Sequence, residues 1–176
     1  NSEAAYNRML CAFEKREPLS EALICELQGL LTQGTYDTLR YQKGERPGAY
    51  KKHDYVTGAQ EVGALPEDVP EELGELVKEL EDIRPKQALT AAAYFHAKFE
   101  NIHPFADGNG RTGRLLMNYL LLLLDHPPII IHEEDRRAYY GALEQFDNAQ
   151  ELDALVDFLK AQTVKTWQAR FERGKK

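Results

Sequence analysis

The chain has 176 residues, 43% of them apolar, which suits one domain with a sizeable core. A formal net charge of −7 and a pI near 5.3 argue against a nucleic-acid surface, which would need a basic face. The apolar run Leu115–Leu124 falls well short of the roughly 20 residues that span a bilayer, so it reads as a buried helix and no membrane partner is expected. No signal peptide opens the chain, and Cys11 and Cys25 sit in helical apolar patterns, where they are expected to pack in the core rather than pair. A reducing, cytoplasmic setting follows from that reading.

The elements read as mostly helical. Ala4, Ala5, Met9, Leu10 and Phe13 recur at helical spacing over 3–15. Ser20 can cap a second helix running through Leu31, with Gly34 as its stop. Residues 35–65 break the pattern with Gly44, Pro47, Gly48, Gly58 and Gly63, and hold the strand-like pieces Ala49–Lys52 and Tyr55–Thr57. They read as a hairpin or extended flap, not as a second domain. Pro70 suits the first turn of a helix through about Asp82, whose acidic residues form a solvated face. The next helix is expected over Pro85–Asn101. A loop at 102–109 follows it, and a long helix then runs from near Gly110 to the Pro127-Pro128 stop. Two amphipathic helices over 133–146 and 151–172 close the chain, with Trp167 packing the last, and Arg170, Arg173, Lys175 and Lys176 form a solvated basic tail.

The chemistry concentrates in His103-Pro-Phe-Ala-Asp107-Gly108-Asn109-Gly110-Arg111-Thr-Gly-Arg114. Gly108 and Gly110 permit backbone conformations closed to other residues and let a phosphate approach closely. Amides at the start of the following helix favour an anion. Asp107 is a hard oxygen ligand suited to Mg²⁺. Arg111 and Arg114, three residues apart, share a helix face and can both reach phosphate oxygens. A neutral His103 can take a proton from an attacking hydroxyl. Gly108, Gly110 and Gly113 also satisfy the spacing of a dinucleotide-binding loop, but no buried strand precedes them. Gly108 to Gly113 has the spacing of a phosphate-binding P-loop, yet Arg114-Leu115 replaces its Lys and Ser/Thr.

Residues 103–114 resemble the signature of the Fic family, His-x-Phe-x-Asp/Glu-Gly-Asn-Gly-Arg-x-x-Arg, with every specified position filled. The likeness extends over roughly residues 3–165. It takes in the helix 86–101 leading in, Leu115-Leu116-Met117-Asn118 leading out, and Tyr139-Tyr140 in the next helix. The resemblance implies an all-α Fic-type domain over 1–176 with a short β-hairpin flap near the active site. It implies transfer of AMP from ATP to a Tyr, Thr or Ser hydroxyl of a target protein, with pyrophosphate released, and self-modification or removal of AMP as further activities. On this likeness His103 is the general base and Asp107 holds Mg²⁺. Gly108, Asn109 and Gly110 form an anion hole, Arg111 and Arg114 steady the β- and γ-phosphates, and Tyr139 and Tyr140 line the adenine pocket.

The family's hairpin presents its target by strand addition, and residues 44–63 occupy that place, with Tyr50, Lys51, Tyr55, Val56 and Thr57 as its target-binding residues. Many relatives carry Arg where this chain has Lys51. Many also carry an inhibitory helix with Ser/Thr-x-x-x-Glu-Gly/Asn; the nearest approach here, Thr57 to Val62, ends on the wrong residue and lies in the flap. The chain therefore reads as a fragment whose inhibitory helix lies upstream, or as a domain restrained by a separate antitoxin-like chain. Its oligomeric state is left open.

Other functions compete with this one. The same fold supports uridylyl, phosphocholine or phosphoryl transfer, although Gly110 and Arg111 disfavour the phosphoryl variant. A nucleotide-binding regulatory module without catalysis would not need His103 beside Asp107. A metal-dependent hydrolase would use His96, His103 and Asp107; against that, His96 reads as a hydrogen-bonded structural residue, and His53, His126 and His132 as solvated.

Overall fold

The computed structural model describes residues 1–57, 60, 61 and 63–175. Helix α1 (Ser2–Glu14) buries Ala5, Met9 and Ala12, a stripe at i, i+4, i+7. Cys11 falls about 100° off that stripe and is exposed, which corrects its expected place in the core. Cys25 is half-buried, and both thiols are free. In α2 (Glu21–Thr32) the Ser20 hydroxyl accepts from the Leu23 amide at 3.1 Å, the cap expected of it.

The irregular region holds a short helix α3 (Thr38–Gln42), capped by the Asp37 carboxylate, which accepts from the Arg40 amide at 2.8 Å. Five residues are too few to show helical periodicity, so no such element is anticipated there. Ala49–Lys52 is not a strand: its backbone turns to the signature loop, and the Lys51 amide donates to the Pro104 carbonyl at 2.9 Å. Strand β1 (Val56–Thr57) pairs antiparallel with β2 (Gln60–Glu61), Val56 opposite Glu61 and Thr57 opposite Gln60. Gly58, Ala59 and Val62 lie outside the described residues.

Helix α4 (Val69–Glu79) buries Val69, Leu73 and Leu76 and turns its glutamates outward, with Pro70 in its first turn. Pro85 does not open the next helix directly. It starts a 3-10 turn, Pro85–Gln87, which feeds α5 (Ala88–Ile102). Helix α6 (Asn109–Leu123) stops before the two prolines, because Asp125 takes a left-handed φ of 58°. A second 3-10 turn, Glu133–Asp135, leads into α7 (Arg136–Ala149), and α8 (Asp153–Arg173) closes the chain.

The α5–α6 pair makes the most extensive helix contact. Alanines 88, 91, 92, 93 and 97 of α5 are all buried, and such small side chains let neighbouring backbones approach. Phe95, Phe99, Phe105, Met117 and Tyr119 fill the centre of the core, with α1, α2, α4, α7 and α8 around it. Among the described residues no helix is long and apolar enough to cross a membrane.

Phe99 is fully buried, with its ring 5.7 Å from Phe95 and 6.4 Å from Phe105. Phe99→Ala should therefore lower stability by about 3–5 kcal/mol, read by urea denaturation. A loss below about 1 kcal/mol would show that this aromatic cluster does not anchor the α5–α6 pair.

Candidate active site

The last turn of α5 delivers His103 into the left-handed region, φ 51° and ψ 62°, with its amide bonded to the Phe99 carbonyl at 3.0 Å. From there the loop is closed by one side chain. Asn109 Oδ1 accepts from the Phe105 amide at 2.9 Å, and its Nδ2 donates to the Phe105 carbonyl at 2.7 Å, in a buried setting. Gly108 follows Asp107 with φ 77°, where a Cβ would collide with the Thr32 methyl, so glycine is required there on two counts. Helix α6 then begins, and the amides of Asn109, Gly110 and Arg111 precede any i−4 acceptor of their own helix. A helix start with open amides attracts anions.

These elements surround a cleft of about 390 Å³ lined by the loop residues His103 and Ala106 to Arg111, by Arg114, and by Arg40, Tyr55 and Tyr140. Three guanidiniums and the helix start face one carboxylate, so the cleft is electropositive in a chain whose net charge is −7. The Arg114 guanidinium folds back over Gly110, with Nη1 3.1 Å from where a Cβ would stand. Any larger residue at 110 would push it away. Asp107 turns Oδ1 to the Gly108 amide at 2.7 Å, while Oδ2 faces Thr35 Oγ1 at 3.4 Å and Arg111 at 3.8 Å. That leaves a half-exposed carboxylate with spare lone pairs at the cleft wall. It fits a hard cation held by one protein oxygen, the remaining ligands being water and phosphate oxygens. No cluster of three or more His, Cys, Asp or Glu that could cage a metal occurs among the described residues.

His103 is held neutral. Burial comes first and the Lys51 ammonium second, outweighing the Glu100 carbonyl, and its pKa is pushed down to about 4. Lys51 is itself buried, and burial lowers its own pKa. Gly63, with φ 110°, sits where a Cβ would stand 2.8 Å from His103 Cβ, from Lys51 Nζ and from the Ile102 carbonyl. The Ala64 amide bonds to that same carbonyl at 2.9 Å. Both stems of segment 51–64 are thus tied to the backbone flanking the histidine.

The structure brings His103, Asp107, Gly108, Asn109, Gly110, Arg111, Arg114, Tyr55 and Tyr140 to one cleft. Tyr139 does not reach it. Successive helical residues point about 100° apart, so Tyr140 is 57% exposed while Tyr139 is buried beneath it, centroids 5.1 Å apart. Tyr50 turns inward as well: its hydroxyl donates to Glu21 at 2.8 Å and its ring lies 5.7 Å from Phe105. Val56 and Thr57 form β1. His96 is fully buried, hydrogen-bonded through Nε2 to the Tyr139 hydroxyl, and stands apart from the cleft, so it cannot join His103 and Asp107 around a metal. His53 is not simply solvated, since Nδ1 meets Glu45 at 3.1 Å, and His132 has a buried Nε2.

Sequence reasoning passed over Arg40 and two buried polar hubs. Arg40 reaches the cleft from α3, steadied by Asp37 at 2.7 Å. Gln28, fully buried on α2, donates to the Asp107 carbonyl at 2.9 Å and accepts from the Gly48 amide at 2.6 Å. Burial alone would raise the Glu45 carboxyl, yet bonds from Tyr55, His53 and the Lys52 amide hold it below the usual carboxylate range. A glutamine within an otherwise apolar helix face was the one legible signal.

Comparison with known proteins agrees with this geometry. The family described as Fic/DOC matches residues 18–121, more than half of the chain. A protein adenylyltransferase Fic of Drosophila persimilis is 48% identical over 75 residues, 43% of this chain and 15% of that protein. The chain therefore spans only a small part of the curated relatives it matches. Among solved structures, Fic-1 from C. elegans superposes with a TM-score of 0.81 at 27% identity, covering 99% of this chain and 50% of that one. A Fic domain containing signaling protein from Bacteroides thetaiotaomicron gives 0.74 at 28% identity, covering 93% and 68%. With its signature loop, helical frame and cleft together, the chain belongs to the Fic/DOC family.

Proposed function

We propose that the cleft transfers AMP from ATP to a hydroxyl of a target protein. The observation that carries this reading is the juxtaposition, in one cleft, of a neutral histidine, a half-exposed carboxylate, open helix amides and arginines. The curated relatives named protein adenylyltransferase support the choice of group. His103 accepts the proton of the target hydroxyl as its oxygen attacks the α-phosphorus; the oxygen–phosphorus bond forms and pyrophosphate leaves. The amides of α6 and the guanidiniums of Arg111 and Arg114 face the charge that develops on the phosphate oxygens, and their fixed orientation is the main catalytic asset. Asp107 would hold Mg²⁺, which supplies further neutralisation of phosphate charge. Tyr140 offers an exposed ring to the base. The β1–β2 pair offers its edge to an extended target segment.

Incubation with α- or γ-labelled ATP, GTP, UTP and CTP plus Mg²⁺ tests this. Label from the α-position of ATP should appear on protein, and His103→Ala should reduce it at least about 100-fold. Transfer that survives His103→Ala overturns the base, and transfer only of γ-label makes the protein a kinase.

The pH dependence follows from the same electrostatics. The active form is the neutral imidazole and its pKa lies at about 4, so the rate at saturating ATP should show no acid limb down to about pH 6 and fall below about pH 5. Lys51→Met removes a cation that disfavours the imidazolium, so the acid limb should move to higher pH. An unmoved limb would show that Lys51 does not act on His103.

A further inference from the structure

One half-buried residue near the cleft has no part in the reaction just described. Glu100 lies one turn before His103 on α5, and its Oε1 is sealed from solvent with no hydrogen-bond partner among the described residues. The same holds for His96 Nδ1. Both atoms converge on Gly113: a Cβ there would stand 2.7 Å from Glu100 Oε1 and 3.1 Å from His96 Nδ1. This explains why a glycine interrupts the interior of α6, where one costs roughly 1 kcal/mol relative to alanine. Any side chain at 113 would displace a buried carboxyl and a buried imidazole.

The groups facing Glu100 come from three helices. On α6 it meets Arg114, whose positive charge favours the ionised form; on α7 Asp147 opposes it and Tyr139 lies within electrostatic reach; on α5 it has His96. Burial outweighs Arg114, and the Glu100 carboxyl is raised to about 7. Burial together with Arg114 keeps His96 uncharged near neutrality, its pKa lowered to about 3. Glu100 and Arg114 form no ion pair within 4 Å among the described residues; the guanidinium lies over Gly110 in the cleft lining, and its charge also bears on the Tyr139 hydroxyl.

We propose that Glu100 is a positioning residue for the nucleotide's terminal phosphates: its carboxyl, packed with His96 against Gly113, the residue before Arg114, sets how much of that arginine's charge the cleft presents. An ionised Glu100 shares Arg114 with the phosphates and weakens their binding; a protonated Glu100 leaves the full charge to them. The linkage runs one way. Phosphate on Arg114 favours the protonated carboxyl, so this residue makes nucleotide affinity rise as pH falls through neutrality. The inference rests on reading the cleft as a nucleotide site.

Calorimetric titration of the protein with a non-hydrolysable ATP analogue and Mg²⁺, at intervals from pH 6 to 8.5, tests it. The phosphates titrate in the same range, so the quantity of interest is the ratio of wild type to Glu100→Gln. Wild-type affinity should fall relative to the variant by on the order of tenfold across the range. Parallel profiles overturn the role of Glu100 while leaving the nucleotide site standing, and absence of binding in both proteins overturns the site reading itself. A second measurement needs no variant: the carbon-13 resonance of the Glu100 carboxyl should titrate at higher pH with the analogue bound than without it. An unshifted titration overturns the proposal.

Discussion

Everything at the cleft depends on the side-chain carboxamide of Asn109 being spent on the backbone of Phe105. Two bonds from one buried side chain close the loop 105–109, which contains the left-handed Gly108 and follows the left-handed His103 by two residues. That closure holds Gly108 in its left-handed turn, while the Phe99 carbonyl holds the amide of His103. With it, the histidine, the Asp107 carboxylate and the first amides of α6 are fixed relative to one another before any ligand arrives. A site that works by fixed dipoles needs this order in advance. Phe105, clamped from both sides by Asn109, is also the core residue against which Phe99 and Tyr50 rest.

A second layer of ties carries this order outward. Gln28 links α2 to the loop through Asp107 and to the irregular region through Gly48. Glu45 gathers Lys52, His53 and Tyr55 around one buried carboxylate. The stretch that looks least regular is therefore held by polar contacts, since it has few apolar residues to bury. Its geometry comes from hydrogen bonds to helices distant in sequence.

This difference explains what the sequence could say. The loop 103–114 was legible because its chemistry is local: glycines, asparagine and arginines act on backbone or ligand within a few positions. The long helices were legible through period and caps, as Ser20 and the α8 stripe of Leu155, Leu159, Gln162 and Thr166 illustrate. Tyr139 and Tyr140 were harder, because neighbours in a helix point different ways and only the packing partner decides which faces the cleft. Lys51 looked like a surface residue by type, and its burial against His103 depends on a contact about 50 positions away. Glu100 and Gly113 were silent for the same reason, as their meaning lies between two helices.

The double tie of segment 51–64 to the backbone around His103 bears on how such a domain can diversify. Its two stems share their anchors with His103, so a substitution at 51 or 63 alters the surroundings of that imidazole as well as the chain that leads to the strands. On the proposed function, such a change touches the acid–base step as well as target presentation, so the stems are bound to change slowly. One pair of short ties thus makes two parts of the site inherit together.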